Sequence, residues 1–304
     1  REKMNKGSTI FVYVKLLLTA IFWGGTFIAG RLVAKNVGPF SAAFLRFAIA
    51  SVFLLLLTWK AEGTLPILKR GQIIPVILLG MTGVFSYNVF FFKGLKIINA
   101  GRASLIIANN PVFIALFAAY FFKDKLSLIK VAGIIISVTG AIIVISRGNL
   151  AEMMSVNVGW GELYIFCCVI SWTAFSLIGK AVLSSLSPLV SISYSSLIGT
   201  VGLFIPAYFE GILHNFIRYS CLEWASIFYL GFFGTVLGFV WYYQGIKAIG
   251  PMKASQFINF VPVSAILLAF FILKEPITLS LLIGGTFVIM GVYLTNTRLS
   301  AKSG

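Results

Sequence analysis

The sequence predicts an all-α integral membrane protein of ten transmembrane helices, built as two inverted five-helix repeats. Three observations predict this fold: an apolar composition, recurring apolar runs of membrane-spanning length, and a repeat of the first half of the chain in the second. Of the 304 residues, 59% are hydrophobic and 11% are charged, whereas a soluble domain typically has about 25% charged residues. The bilayer is therefore the expected solvent of this chain.

Each predicted span is an apolar run bounded by polar, glycine or proline residues. The runs are long enough to cross a hydrocarbon core about 30 Å thick. The links between them are short, and no soluble domain fits anywhere between two runs. The predicted spans are 9–34, 39–59, 72–95, 100–122, 127–146, 160–183, 187–209, 222–247, 253–273 and 278–296.

The second half of the sequence repeats the first. An ungapped alignment that places Leu79 on Leu230 matches Gly80, Gly83, Gly94, Lys96, Ala103, Ser104, Pro111, Val112, Lys123, Gly133 and Gly140 with Gly231, Gly234, Gly245, Lys247, Ala254, Ser255, Pro262, Val263, Lys274, Gly284 and Gly291. A register shifted by two residues matches Trp23, Gly30, Arg31 and Pro39 with Trp172, Gly179, Lys180 and Pro188. Such a match indicates duplication. We predict two domains, 1–148 and 149–304.

The number of spans in each copy determines how the copies are oriented. Five spans are an odd number, so the second copy begins on the opposite side of the membrane from the first. Inverted repeats of this kind are characteristic of secondary transporters, in which the substrate site lies between the halves. Lys and Arg residues are more frequent in the links on the N-terminal side, which predicts a multi-pass protein of the cell membrane with both termini in the cytoplasm.

Several classes of protein are disfavoured by the composition. The net charge of +16 comes mostly from short links, where basic residues contact anionic lipid head groups, so we expect the bilayer rather than nucleic acid as a partner. The cysteines Cys167, Cys168 and Cys221 have no metal-ligand spacing. The single His214 lies in a link, and no carboxylate pair or phosphate loop is present. We expect no cofactor, no metal and no enzymatic activity.

Motifs at matched positions of the two halves resemble those of a known family. They are Trp23-Gly24 and Trp172-Thr173, residues Pro39 to Arg46, the segments from Ala103-Ser104 to Pro111 and from Ala254-Ser255 to Pro262, and the turns Lys123-Asp124 and Lys274-Glu275-Pro276. In these the chain resembles the drug/metabolite transporter superfamily, and within it the ten-helix branch with two EamA-type domains. The likeness covers nearly the whole chain.

This resemblance implies an architecture and an activity. The first four helices of each half would surround a central cavity, and the fifth and tenth helices would lie at the periphery. The implied activity is the export of amino acids or similar metabolites by alternating access. The second helix of the second half departs from the pattern, because Arg46 aligns with Ser195. A charge at this position therefore belongs to one half only.

Polar and aromatic residues inside the predicted spans are the candidates for a substrate site, because such groups usually face the bundle interior. The candidates are Trp23, Thr26, Arg46, Tyr87, Asn88, Asn109, Asn110, Trp172, Ser176, Trp241, Gln244, Ser255 and Asn259. Pro111 and Pro262 are expected to kink their helices and to free backbone carbonyls. The alternative for the amides is bonding to neighbouring helices, and for the aromatic residues it is core packing.

Charged residues divide unequally between the middle and the ends of the spans. Arg46 lies seven residues past Pro39, about 10 Å along a helix. It either attracts a substrate carboxylate, or it extends to the membrane interface or caps backbone carbonyls. The acidic residues map to links or helix ends, which argues against a proton-coupled pump and favours movement driven by the substrate gradient.

The sequence leaves three questions open. A channel, a receptor or a lipid scramblase remains the alternative to a carrier of small molecules. Aromatic and amide groups without buried acids favour amino acids as substrates but do not identify one. The glycine pairs Gly133 and Gly140, and Gly284 and Gly291, predict close helix packing, either within the chain or between two copies. The protein is therefore expected to be a monomer or a homodimer.

Overall fold

The computed structural model describes residues 6–123, 127–147 and 159–296, and all regular structure in these ranges is helical. Ten helices are long and apolar enough to span a membrane, which confirms the predicted number. They are α1 (Ile10–Val33), α2 (Pro39–Glu62), α3 (Arg70–Ile97), α4 (Ala100–Phe121), α5 (Leu128–Ile145), α6 (Trp160–Val182), α7 (Pro188–Phe209), α8 (Cys221–Ile249), α9 (Lys253–Leu273) and α10 (Leu279–Asn296). Asp124 and the predicted domain boundary at 148 and 149 lie outside the described residues.

The ten spans cross the membrane alternately, which defines its two faces. We call the face at which α1 begins and α10 ends the terminal side, and the other face the opposite side. The C-terminal end of α1 lies on the opposite side. The C-terminal end of α6, its equivalent in the second half, lies on the terminal side.

The two halves repeat each other in backbone detail. A π-helical segment interrupts α3 at Gly80–Ser86 and α8 at Tyr229–Leu237. Lys123 and Lys274, which are equivalent, both adopt left-handed backbone conformations, with φ of 56° and 57°. Because these features recur at matched positions, the duplication is a property of the backbone and not only of the sequence.

The fourth helix of each half is interrupted just before its proline. Helix α4 breaks at Ala108 and Asn109 and resumes at Asn110–Phe122, while α9 passes through a 3₁₀ turn at Phe257–Asn259 and resumes at Phe260–Leu273. Pro111 and Pro262 therefore lie in the first turn of the resumed helices. At such a position the missing backbone N–H leaves no hydrogen bond unmade.

Eight of the helices form a ring. Helices α1, α8, α2, α7, α3, α6, α4 and α9 each pack against the next, and α9 closes the ring against α1. Exchanging the two halves maps this set of contacts onto itself. Helices α5 and α10 pack mainly against each other, and they touch the ring at α4 and α9. The duplicated five-helix arrangement predicted from the sequence is thus confirmed.

Glycines form the contact between α5 and α10. A Cβ atom on Gly133 would lie 2.7 Å from the carbonyl oxygen of Gly291, and one on Gly140 would lie 2.6 Å from that of Gly284. The backbones touch at these points, as expected for small-residue helix packing in lipid. Of the two alternatives left open by the sequence, the structure shows the contact within the chain.

The first prediction concerns this glycine contact. A Cβ atom on Gly291 would lie 2.3 Å from the backbone nitrogen of Ser137, so Gly291→Ala must push α5 and α10 apart. We expect a loss of about 1–3 kcal/mol of stability, measured as a lower midpoint of thermal unfolding in detergent. Gly71→Ala is the control, because a Cβ atom on Gly71 has nothing within 4 Å. Equal midpoints for the two variants would contradict the prediction.

Candidate functional site

Arg46 is a buried cation inside a membrane span. Its side chain on α2 is 8% exposed, and it bonds two neutral side chains. Nη1 donates to Oδ1 of Asn88 at 2.9 Å, while Nε and Nη2 both donate to Oγ1 of Thr235 at 3.3 Å. No carboxylate among the described residues bonds this guanidinium. A charge in such surroundings is costly unless it is paired, which makes the position a candidate for function.

The two acceptors of Arg46 are held by the π-helical segments of both halves. Asn88 Nδ2 donates to the carbonyl oxygens of Val84 at 2.8 Å and of Gly83 at 3.3 Å, both in the segment of α3. Thr235 Oγ1 donates to the carbonyl oxygen of Leu230 at 2.9 Å, in the segment of α8. Because π-helical geometry displaces backbone bonds from the α-helical pattern, these carbonyls accept side-chain donors.

A chain of aromatic rings crosses the interior beside this cation. In order it consists of Trp23, Phe239, Trp172, Tyr87, Phe91 and Phe27, with successive ring centroids 5.7, 6.4, 5.3, 6.0 and 5.4 Å apart. Trp23 lies on α1 and Phe239 on α8. In the ring of helices α1 lies opposite α3, and α8 lies opposite α6, which carries Trp172. The chain therefore brings the equivalent tryptophans of the two halves onto one phenylalanine. Tyr87 and Arg46 interact electrostatically, so the aromatic chain and the cation share one site.

Equivalent ends of the two halves differ in burial. Residues 24–30 of α1 are all buried, but of their equivalents 173–179 in α6 only Thr173 is buried. A Cβ atom on Gly30 would lie 2.7 Å from Leu95 of α3, whereas one on Gly179 has only Leu79 within 4 Å, at 3.9 Å. The first half is thus closed at the opposite side, and the second half is open at the terminal side.

Closure at the opposite side depends on contacts of α1 and α2 with α3. The Arg31 guanidinium donates to the carbonyl oxygen of Leu95, and the Phe40 ring lies 6.1 Å from Phe85. The ammonium of Lys93 lies 5.6 Å from the Phe40 ring. Arg31, Phe40 and Lys93 lie nearer the opposite-side ends of α1, α2 and α3 than Arg46 and Asn88 do, so their contacts separate the site from that face.

Three of the predicted residues on the first helices of the two halves bond locally or to the facing half. Trp23 Nε1 donates to the carbonyl oxygen of Gly234 at 3.0 Å, across to α8. The hydroxyl groups of Thr26 and Ser176 donate to the backbone oxygens of Trp23 and Trp172 at 2.6 and 2.8 Å. The tryptophans therefore shape the site, whereas these hydroxyl groups are engaged within their own helices.

The polar residues predicted around the interrupted helices have different surroundings. Asn109 is buried and accepts a hydrogen bond from Ser137 of α5 at 2.8 Å, so its contacts belong to the periphery and its role in a cavity stays a prediction. Asn110 Oδ1 is buried without a hydrogen-bond partner in the described part of the chain. Ser255 and Asn259 are half-buried at the interruption of α9.

Trp241 and Gln244 belong to a separate cluster between α1 and α8. Gln244 is exposed and accepts a hydrogen bond from Lys15 Nζ at 2.9 Å. Trp241 lies 5.6 Å from Phe22, with the Lys15 ammonium 5.9 Å from its ring. These two candidates bond Lys15 rather than Arg46, and their role in substrate binding stays a prediction.

Sequence reasoning missed three residues of the site. Thr235 was overlooked because its equivalent is Val84, so the repeat comparison gave no signal there. The signal that could have revealed Thr235 is its own hydroxyl group in the middle of an apolar span. Phe239 and Tyr242, whose rings lie 5.7 and 5.3 Å from that of Trp23, looked like ordinary apolar positions in the sequence.

Two surface cavities lie at the opposite side, away from Arg46. One of about 540 Å³ is lined partly by Arg102, Glu162 and Glu275. Here Arg102 pairs with Glu162 at 3.0 Å, and Glu275 accepts from the backbone nitrogen of Ala100 at 3.0 Å. The other, of about 380 Å³, contains Glu223, which accepts from Asn36 at 2.6 Å. These carboxylates join the second half to the first.

The family model described as the EamA-like transporter family matches residues 10–146 and 159–297. The chain belongs to this family. As an EamA-like transporter, it is a multi-pass protein of a lipid bilayer, and its partners are that bilayer and a transported substrate.

Curated relatives of this EamA-like chain match along almost its whole length. An uncharacterized transporter of Bacillus subtilis, YyaM, is 31% identical, covering 92% of each chain. A probable terminal-alkyne amino-acid exporter of Streptantibioticus cattleyicolor is 28% identical, covering 93% of this chain and 92% of that one. A protein of known crystal structure has the same fold, with a TM-score of 0.63, 17% identity, and coverage of 93% and 97%.

The second prediction concerns the pairing of Arg46 with Asn88. Asn88→Leu leaves a guanidinium N–H of a buried charge without its acceptor, so we expect a loss of about 2–3 kcal/mol of stability. In an Arg46→Met background the same change should cost about 1–2 kcal/mol less, because no charge remains to be satisfied. The free energy of unfolding in mixed detergent micelles is measured for wild type, the two single variants and the double variant. Strictly additive effects would show that the two side chains are not coupled.

Proposed function

We propose that this protein is a secondary transporter that moves small organic metabolites across the membrane by alternating access. The supporting observation is the unequal burial of equivalent helix ends, with Arg46 and the aromatic chain between the closed and the open end. In an inverted repeat, exchanging the conformations of the two halves converts a site open to one side into a site open to the other. The site itself need not move.

The chemistry of the site favours amino acids and related compounds as substrates. Arg46 supplies a cation that bonds no carboxylate in the described part of the chain, which suits a carboxylate on the substrate. The rings of Trp23, Tyr87 and Trp172 offer an apolar surface for a side chain and electron-rich faces for an ammonium group. The name of the Streptantibioticus relative, a probable amino-acid exporter, points the same way.

Direction and energy source form part of the proposal. We take both termini to be cytoplasmic, which makes the open terminal side the cytoplasmic one and fits export. Two of the described acidic residues, Glu162 and Glu223, lie in the first turns of α6 and α8. There Glu162 pairs with Arg102, and Glu223 accepts a hydrogen bond from Asn36. With these carboxylates engaged at helix ends, transport is driven by the substrate gradient. Activity requires one chain, because each half supplies part of the site.

A channel, a receptor or a lipid scramblase is the alternative from a different class. The closed opposite side disfavours an open pore, since Phe40, Phe85 and Lys93 meet there. A carrier gives saturable counterflow of a solute between the two sides of a liposome. A channel gives a current that does not saturate, and a scramblase moves labelled lipid without any solute.

The third prediction tests the function and the role of Arg46 together. Reconstituted protein should show saturable counterflow of an L-amino acid, and Arg46→Ala should reduce this transport roughly 10- to 100-fold, the equivalent of one lost charged hydrogen-bond pair. Neutral analogues should lose less. Lys60→Ala, an exposed cation at the far end of α2, is the control and should behave as wild type. Equal loss for all solutes would assign Arg46 a folding role.

The fourth prediction concerns energy coupling. Because no described carboxylate lies in the middle of a span, an imposed pH gradient should leave the initial rate of amino-acid counterflow unchanged. Proteoliposomes with equal and with unequal internal and external pH provide the comparison. Strong acceleration by a gradient would refute movement driven by the substrate alone and would require a proton-binding group in the pathway.

A further inference from the structure

We infer that the edge of the Arg46 guanidinium formed by Nε and Nη2 is the carboxylate-binding site, and that Thr235 occupies this edge until substrate replaces it. Thr235 thereby becomes a residue that determines specificity. This inference rests on the proposed function, because it describes how the same site selects its substrate. It identifies the substrate class as compounds with a free carboxylate next to an apolar group.

The bond lengths at Arg46 distinguish its two edges. Asn88 binds Nη1 at 2.9 Å, an ordinary hydrogen-bond length. On the other edge a single oxygen, Oγ1 of Thr235, lies 3.3 Å from both Nε and Nη2. This fork is the one that a carboxylate binds with two oxygens at about 2.7–2.9 Å. One neutral hydroxyl group shared between two donors is a weak substitute for that anion.

Thr235 can leave Arg46 without becoming an unsatisfied group. Its hydroxyl hydrogen is already donated to the carbonyl oxygen of Leu230 at 2.9 Å. That bond lies within α8 and does not depend on Arg46. Asn88 is likewise anchored to α3 by its own backbone bonds. Replacement of Thr235 by a carboxylate therefore exposes one edge of the guanidinium and leaves the other edge bound.

The exchange of partners also acts on the gate. Arg46 lies on α2 of the first half and Thr235 on α8 of the second, so their bond ties the two halves together. Helix α8 is the equivalent of α3, whose packing against α1 closes the opposite side. Once a carboxylate has replaced Thr235, this hydrogen bond no longer ties α8 to α2, which eases the movement of α8 against α6 at the terminal side. Substrate recognition and closure are thus linked through one hydroxyl group.

The duplicated half provides no second site of this kind. The equivalent of Arg46 is Ser195, whose hydroxyl group donates to the backbone oxygen of Ile192 at 3.1 Å. The equivalent of Thr235 is Val84. One carboxylate per chain is therefore the expected stoichiometry, and two carboxylates on one substrate would leave one without a partner.

Uptake into proteoliposomes tests this role of Thr235. The probes are radiolabelled L-phenylalanine and L-leucine, each compared with its carboxamide, and the proteins are wild type, Thr235→Val and Thr235→Ser. Valine has nearly the shape of threonine but cannot accept a hydrogen bond. The Nε and Nη2 donors of Arg46 then have no partner in the substrate-free protein, and a substrate carboxylate no longer has to displace the hydroxyl group of Thr235. We expect a KM for the amino acids about three- to tenfold lower in Thr235→Val, with the carboxamides unchanged. Thr235→Ser keeps the hydroxyl group, so its KM for the amino acids should return towards the wild-type value and lie above that of Thr235→Val.

Two results would overturn the inference. A higher KM for the amino acids in Thr235→Val would show that Thr235 binds substrate together with Arg46. An equal change for amino acids and carboxamides would show a packing effect. If wild type carries neither probe, the proposed substrates are wrong at the level of the function itself. Should Thr235→Val fail to fold, Arg46→Lys tests the same fork. Lysine lacks the planar pair of parallel N–H donors that binds a carboxylate through both oxygens, so the KM for amino acids should rise relative to that for carboxamides.

Discussion

A buried guanidinium group whose partners in the described ranges are all neutral is the constraint on which the centre of this protein depends. In the low-dielectric interior of a membrane span, a cation is retained only where fixed dipoles surround it. Arg46 receives these dipoles from one amide and one hydroxyl group, each held in place by backbone carbonyls of a π-helical segment. The cation is thus satisfied enough to remain charged, and it keeps one edge weakly bound and available to an anion.

The two π-helical segments show how a duplicated backbone serves an unsymmetrical site. Both halves have the segment at the same position, yet the segment of α3 orients Asn88 and that of α8 orients Thr235. The backbone irregularity was retained in both copies, while the side chains diverged. The tryptophans are equivalent in sequence and share Phe239, but Trp23 also contacts Tyr242 whereas Trp172 also contacts Tyr87. Backbone symmetry provides the two conformations, and side-chain asymmetry provides the chemistry.

Prediction from sequence succeeded where the signal was periodic or repeated. The ten apolar runs and the matched glycine and proline positions specify the spans and the duplication, because membrane thickness and helix geometry leave few alternatives. Individual contacts were less accessible. Asn88 and Asn109 are both amides in mid-span, yet one bonds Arg46 and the other bonds Ser137 at the periphery. The face of the helix on which each amide lies decides which partner it meets. For Asn88 this face depends on the π-helical segment of α3, which local sequence does not reveal.

The mismatch of Arg46 with Ser195 has a consequence for how such a protein can be assembled. A dimer of two identical five-helix units would place two guanidinium groups symmetrically in one apolar interior, where like charges repel strongly. Joining the two units in a single chain removes this restriction, because each copy can then carry a different residue at the same position. A single central cation is therefore a property that a dimer of identical units cannot have and that a fused, two-copy chain can.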